Sequence, residues 1–466
     1  MKIQIIPALK RRDGGALVIT AIVLVFIGAV LATYLLLSQN EYMLVARSQT
    51  WNSSMALTEA GVEDGLAFIN KYEGNFTMVT NWSTAASAAE DNWTVAGNIY
   101  SMHRVVSPGG DYYDVTIDNS NPSSPVINSA GMANYTLSAS RSPFMLAAAG
   151  LSAPASSVPI SRKVMVQAVY SALFPGAITT STNIDLNGNN VRVDSFDSTL
   201  TNASAWKTNF GYGIYDITKA RANGNVATDS SLVGAISVGQ ANIYGHLDTG
   251  PGGTATVGNN GYVGPLPQSG SGIQAGYSAD DMNMVFPPVV LPGGASGWPS
   301  VPGNNVITAS GNYYIIGINN SLTINAPNVT IYVEGSISLS GNNSITVGTN
   351  ASRVTLYVGG PSFSTTGNAT VNNQTQNAVV LGVYGLPTLT SINFGGNAAY
   401  TGTIYAPQAA FSFGGGGGTT YDYVGALVAY NAKLNGHANF HYDESLKRNG
   451  PGIGYVPYNW KEITGN

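Results

Sequence analysis

The 466-residue chain contains no cysteine. Disulfide frameworks, iron–sulfur clusters and thiol catalysis are therefore excluded, while the compartment stays open, since such a chain tolerates oxidising and reducing surroundings alike. Charge is scarce too: Asp, Glu, Lys and Arg together make up 9%, against about a quarter in ordinary soluble domains. A net charge of −5 and a pI near 5.3 lack the basic footprint of a nucleic-acid binder. In place of charge stand 56 glycines, with abundant Asn, Ser and Thr. That composition suits turn-rich β structure with neutral polar faces better than charged surface helices. Disorder is not expected, because hydrophobic residues reach 44% and run through most of the chain.

The one long hydrophobic run is Ala16 to Leu37, with no charge in it. As a helix it spans roughly 33 Å, enough to cross a bilayer. Lys10-Arg11-Arg12 precede it, which predicts a cytoplasmic N-terminus and an exported bulk. A secretory signal peptide has a shorter apolar core followed by a small-x-small cleavage site, and here Leu35-Leu36-Leu37 leads into Ser38-Gln39-Asn40-Glu41. A plain signal anchor fits the hydropathy equally well. The helix is expected to run on to about residue 70, since 38–70 lack Pro and favour helix formers. Leu57, Ala60, Val62, Leu66 and Ile69 recur near helical spacing as a face for a globular domain. Gly28 and Ala32 form a small-xxx-small pair that lets helices approach, although such pairs are common in any apolar run.

Basic residues, then Gly14-Gly15, then an apolar helix: this order resembles a prepilin leader of about residues 1–15, cut on the cytoplasmic side by a membrane peptidase. Met55 to Asn70 (MALTEAGVEDGLAFIN) resembles the A-x-x-AEAG-x-E signature of PilX-type minor pilins, through Ala56, Glu59, Ala60, Gly61 and Glu63. The resemblance covers about residues 10–70. It implies processing at Gly14, Gly15 and Ala16, and an anchor and assembly role for Thr20, Gly28, Ala32, Glu59 and Glu63. Its partners would be the membrane, other pilin-like subunits and a prepilin peptidase. Major pilins carry Glu at the fifth mature position; here Ile19 or Thr20 stands there. A buried carboxylate is costly unless paired, so its loss removes one neighbour-specific contact and favours a low-copy subunit.

Residues 71–175 are expected to form a small pilin-like α+β unit, in which the pattern changes from about Asn98 to short alternating runs. Tyr112 to Asp118, Pro125 to Gly131 and Arg162 to Val169 read as strands, with Val164, Val166 and Ala168 on one face, and 138–160 reads as a loop. Beyond them, repeats set the expectation. Val329-Thr-Ile-Tyr-Val-Glu-Gly335 returns as Val354-Thr-Leu-Tyr-Val-Gly-Gly360 and as Val379-Val-Leu-Gly-Val-Tyr-Gly385, at steps of 25. Alternation puts the first, third and fifth side chains inward, and a closing Gly permits a corner. Thr401 to Pro407 and Val424 to Ala429 repeat 23 residues apart, Val233 to His246 echoes Val424 to His437 at 191, and Asn342-Asn343 and Asn372-Asn373 suggest side-chain ladders. The fold class expected is mainly β: a transmembrane, pilin-like helix (16–70), a small antiparallel β unit, then a right-handed parallel β-helix (176–448). A Gly/Pro-rich loop is expected at about 250–310 and a tail at 449–466. The segments Gly425 to Leu446 and Val193 to Ser198 resemble the end and opening of a solenoid domain that follows pilin-like N-termini in exported bacterial proteins.

Candidate chemistry is thin. His437, His441 and Asp443 fall on alternate positions of a strand, a donor set able to hold a metal; a polar-capped terminal rung explains them as well, and no metal, cofactor or catalytic residue is expected. Asp194 with Asp197, and Asp280-Asp281, invite comparison with β-helix glycosidases, which need two carboxylates about 5–10 Å apart over a sugar. Turn or corner roles fit these acids too. Gly414 to Gly418 lacks the Lys-Ser/Thr of a phosphate loop. Tyr313, Tyr314, Tyr400, Tyr405, Tyr421 and Tyr423 could stack on surface polysaccharide if they project outward. Three function classes follow: an exported minor subunit for assembly, display or adhesion; a membrane-tethered polysaccharide-active enzyme; and a self-associating scaffold.

Overall fold

The computed structural model describes residues 14–71, 92–108, 110–122, 124–136, 157–188, 191–199, 213–396, 399–414, 421–449 and 452–463. The chain is mainly β with one long N-terminal helix, and it divides into two compact units: Met1–Ile69 with Ser83–Val169 and Val456–Asn466, and Asn70–Trp82 with Tyr170–Tyr455.

In the first unit, helix α1 (Gly14–Lys71) runs unbroken. Its lower part packs on a sheet ordered β1 (Thr94–Ala96), β2 (Ile99–Val105), β3 (Tyr112–Asp118), β4 (Val126–Thr136), β5 (Ser157–Ala172) and the C-terminal strand Gly452–Glu462. The pairings from β1 through β5 are antiparallel. Val164, Val166 and Ala168 of β5 are buried on one face, as their alternation predicts. Two expectations are corrected. The segment 449–466 is no tail, since Gly452–Glu462 is a strand anchored by the Arg162–Glu462 ion pair at 2.7 Å. Residues 157–160, expected in a loop, open β5; the rest of that loop lies outside the described residues.

The buried face of α1 also differs from the apolar stripe in the sequence. Ser54, Thr58, Gly61, Val62, Gly65, Phe68 and Ile69 are the buried positions. The reason is a close approach at Gly131 of β4, where a Cβ would lie 2.4 Å from Ser54 O and 2.5 Å from Thr58 N. Small polar residues fit there because Ser54 Oγ donates to Gly131 O at 2.8 Å, and Gly131 N donates to Thr58 Oγ1 at 3.0 Å. Buried polar groups are thereby satisfied.

The second unit is built from parallel strands stacked in layers. Its first strands are β6 (Ile178–Thr180), β7 (Ile184–Asp185), β8 (Arg192–Phe196), β9 (Val226–Thr228), β10 (Ile236–Gly239), β11 (Asn242–Tyr244), β12 (Leu247–Asp248), β13 (Ala255–Val257), β14 (Tyr262–Gly264), β15 (Gly272–Ile273) and β16 (Ser278–Ala279). Each pairs in parallel with the strand about three further on, β6 with β9, β7 with β10 and β8 with β11. Strands β13 to β16 therefore continue the stack through 255–279, within the stretch expected as a loop. Gly and Pro there make turns between very short strands. The strandless stretch is narrower, running from residue 280 to residue 305.

The later strands are β17 (Val306–Ile307), β18 (Gly311–Ile315), β19 (Leu322–Ile324), β20 (Asn328–Val333), β21 (Ile337–Leu339), β22 (Ser344–Val347), β23 (Arg353–Val358), β24 (Ser362–Thr365), β25 (Thr370–Asn373), β26 (Leu381–Gly385), β27 (Ser391–Phe394), β28 (Tyr400–Phe413), β29 (Tyr421–Leu434) and β30 (Ala438–Asp443). Val329 pairs with Val354 at the expected step of 25, but Val354 pairs with Leu381, a step of 27. A shift of two preserves which side chains face inward. Thr401 opposite Val424 keeps the step of 23. The 191-residue echo is not the structural correspondence: Ile236 stacks on Ile184, which stacks on Ala432. Gly360 is needed for space, since its Cβ would lie 2.0 Å from Gly335 C; left-handed backbone occurs instead at Gly341, Gly367 and Gly396. The Asn pairs do not stack on each other: Asn342 accepts from Asn368, and Asn373 donates to Asn377 O and Thr401 O.

Chain order and stacking order differ. Strands β29 and β30, the last of this unit, pair with β6, β7 and β8, the first. The chain starts in the middle of the stack, builds outward to β16, returns through 280–305 to the far end, and closes against its own beginning. Interior aromatics follow the stack from layer to layer, Phe363, Phe394, Tyr400, Tyr423 and Phe440, at centroid spacings of 4.9, 5.3, 4.8 and 4.2 Å.

Candidate functional site

The residues assigned to anchoring lie on the exposed part of α1. Every described side chain from Leu17 to Val45 is exposed, and the span is long and apolar enough to cross a membrane. Gly14 opens the helix and Gly15 is exposed; the Ala16 side chain and residues 1–13 lie outside the described residues. Thr20 Oγ1 donates to Leu17 O at 2.9 Å, so its hydroxyl is partnered inside the helix. Gly28 and Ala32 are exposed, and a Cβ at Gly28 would meet nothing within 4 Å. Glu59 and Glu63 are exposed, with the Glu59 charge felt by Arg162 of β5. The acid bonded to the sheet is Asp64, which no sequence motif singles out. It pairs with Arg104 at 2.8 Å and accepts from the Tyr113 hydroxyl. Burial, helped by that bond, pushes the Tyr113 phenol up to about 12.

The densest chemistry lies where β30 closes on β8. Asp194 is fully buried and accepts from Arg192 Nε at 2.5 Å and Tyr215 Oη at 2.8 Å. Its Oδ1 lies 2.6 Å from His441 Nδ1. Tyr215 stacks on the His441 ring at 3.5 Å, and His441 Nε2 approaches Asp422 Oδ1 at 3.5 Å, longer than a good hydrogen bond. Burial opposes charging of this imidazole, but the bond to Asp194 and the nearby carboxylates of Asp194 and Asp422 outweigh it and hold its pKa above the ordinary value. Asp422 is correspondingly lowered by its contact with His441.

A second layer follows. Asp197 accepts from Thr199 and, at 2.7 Å, from Arg448 on the short helix Leu446–Asn449. Glu444 accepts from Ser195 and Asn223, each at 2.8 Å, with Arg221 at 3.3 Å. Asp443 accepts from Ser198 N and Ser445 N, and burial raises its pKa. Each carboxylate here has a protein partner, although Asp443 Oδ2 is buried without one. The cluster clamps an early and the last strand of the second unit, β8 and β30, together.

The three side chains weighed as a metal donor set, His437, His441 and Asp443, do not converge. His437 lies in the turn before β30, while His441 turns to Asp194 and Asp443 to the Ser198–Ser445 backbone. Among the described residues no group of three His, Cys, Asp or Glu side chains is gathered for a metal. Asp280 and Asp281 are exposed. Tyr400, Tyr405 and Tyr423 are buried, so they present nothing to a polysaccharide; Tyr313 and Tyr314 are half-exposed, and the Tyr421 side chain lies outside the described residues. Gly415–Gly418 are also outside them. Arg192, Arg221 and Arg448 were missed because single arginines far apart in sequence carry no local signal.

Residues 294–449 match a family model described as a domain of unknown function (DUF7305). No curated protein matches the chain. Among solved structures, the competence-associated pilin ComZ from Thermus thermophilus aligns over 89% of this chain and 98% of its own, at 11% identity and a TM-score of 0.26. A superposition that loose carries no argument.

Proposed function

We propose that the chain is a minor, pilin-like subunit of a type IV pilus or a related secretion machine, anchored by α1 and displaying a right-handed parallel β-helix outside the cell for assembly, surface display or adhesion. The observation that carries this reading is α1 itself. One continuous helix leaves every described side chain from Leu17 to Val45 uncovered, then buries Ser54 to Ile69 on an antiparallel sheet. An apolar surface of that size needs a non-aqueous surrounding, and a membrane or neighbouring subunits supply one.

The reading includes a leader ending near Gly14-Gly15, removed by a prepilin peptidase, and a cytoplasmic N-terminus before cleavage. It includes no catalysis, because Asp194 and Asp197 are held by arginine and histidine. It favours display over end-to-end polymerisation: β15 and β16 are two residues each, with Asp280 and Asp281 beside them, features that blunt sheet edges. N-terminal sequencing of surface material from cells with and without the peptidase is the test. A new N-terminus at Gly15 or Ala16 that depends on the peptidase is expected; an intact Met1 on surface material overturns the processed-subunit reading.

A further inference from the structure

The strandless segment between β16 and β17 covers part of an aromatic ladder and leaves part open. Tyr314, Tyr332, Tyr357, Tyr384 and Tyr405 hold one register position in five successive strands, β18, β20, β23, β26 and β28. They alternate with the inward residues, so the ladder lies on the outward side. Even so, Tyr357, Tyr384 and Tyr405 are buried. The chain itself runs along them. The Tyr405 hydroxyl donates to Pro287 O at 2.8 Å, Val289 is buried, and at the far end Val301 N and Pro299 O bond the backbone of Tyr314. This strap reads Val285-Phe-Pro-Pro-Val-Val-Leu-Pro292: extended, apolar and proline-rich.

Beside the strap the trough stays open as a cleft of about 560 Å³, in the size range of ligand sites, roughly 300–1,000 Å³. Pro288, Val290 and Leu291 of the strap line it together with Tyr332, Leu386 and Thr388. Gly359 lines it too, and a Cβ there would come 3.2 Å from the Tyr332 ring. No charged or amide side chain lines the cleft. A saccharide would leave its hydroxyls unpaired there, a loss of the kind that makes buried polar groups costly. A proline-rich segment instead brings few donors, offers apolar ring faces to tyrosines, and loses little chain entropy because its extended form is preformed.

We propose that the Tyr332 cleft docks an extended, proline-rich apolar peptide of a partner protein, seated on the tyrosine ladder beside the strap and in the same manner. The interface that supports this is continuous with it: the neighbouring part of the same ladder already holds such a segment of the chain. The site is independent of the anchoring reading, so either can fail alone.

The experiment is a titration of the detergent-solubilised full chain with a fluorescent peptide of sequence MVFPPVVLP, the strap's own residues 284–292. Saturable binding is expected, weakened at least tenfold by Tyr332→Ala, by Thr388→Trp, which fills the cleft without removing a core side chain, and by replacing the peptide's prolines with glycine. Melting curves of both variants matching the parent keep the result local. Absence of binding to the parent chain, or binding that neither variant weakens, overturns the proposal. Saturable binding of a neutral oligosaccharide such as cellopentaose, blocked by Thr388→Trp where the peptide does not bind, overturns it in favour of a glycan site.

Discussion

His441 Nδ1 lies 2.6 Å from Asp194 Oδ1, joining β30 to β8 across the seam where the chain closes on its own beginning. Asp194 is fully buried and also holds Arg192 and Tyr215. Removing one member of such a set strands the others in a medium of low polarity, a loss of about 3–5 kcal/mol. Asp194→Ala is accordingly expected to lower the unfolding free energy of the second unit by that amount, read as a fall in its urea midpoint. A variant as stable as the parent would show the seam is held by backbone pairing alone.

The same pair sets a pH dependence. His441 faces Asp194, Asp422 and Tyr215, with Arg192 on the other side of Asp194. Its folded pKa is raised, so protonation favours the folded state. That contribution is complete below the unfolded value of about 6.5 and is lost as pH climbs through the raised folded value. Asp443, raised by burial, acts with the same sign but begins its loss from the lower carboxylate range. Unfolding midpoints measured from pH 6 to pH 9 should fall for the parent and fall less for His441→Gln. Equal slopes in the two would assign the dependence to another group.

The sequence made the inward faces of the stack legible because alternation is local. Val329, Ile331 and Val333 are buried as the pattern requires, and so are Val354, Leu356 and Val358. It could not reveal that β29 and β30 sit against β6 to β8, because nothing local marks a pairing across some 250 residues. For the same reason Arg448 and Asp197, partners in the clamp, read as unrelated residues. The helix failed differently. Its length was plain, but its buried face is set by closeness to Gly131 rather than by hydrophobicity, so Ser54 and Thr58 fall outside the apolar stripe.

That closeness is testable. A side chain at Gly131 would strike the helix backbone, Ser54 O at 2.4 Å and Thr58 N at 2.5 Å, which cannot move without displacing α1. Gly131→Val should therefore destabilise the first unit by about 1–3 kcal/mol, the usual cost of overpacking. Gly65→Ala meets side chains rather than backbone, Ile127 Cγ2 at 2.9 Å and Val115 Cγ2 at 3.5 Å; the branched, buried Ile127 must shift slightly, but the helix backbone need not. Hydrogen exchange across 54–69 should rise clearly in the first variant and little in the second. The reverse order would mean that the helix, and not the sheet, adjusts.

Register parity gives the last prediction. The step from β20 to β23 is 25 residues and that from β23 to β26 is 27, yet Ile331, Leu356 and Val383 remain one inward column, all wholly buried. The tolerance exists because two residues complete one pleat, whereas one residue would turn every side chain over. Leu356 thus sits between two neighbours with no solvent contact, and Leu356→Ala should cost about 2–5 kcal/mol through lost burial and the cavity left behind. The adjacent Thr355 lies on the opposite face and is only partly buried, so Thr355→Val is expected to stay within about 0.5 kcal/mol of the parent. Urea unfolding of the two variants separates them. Comparable losses would mean that inward and outward faces are not distinct at this layer, and the stacking described for β20, β23 and β26 would have to be wrong.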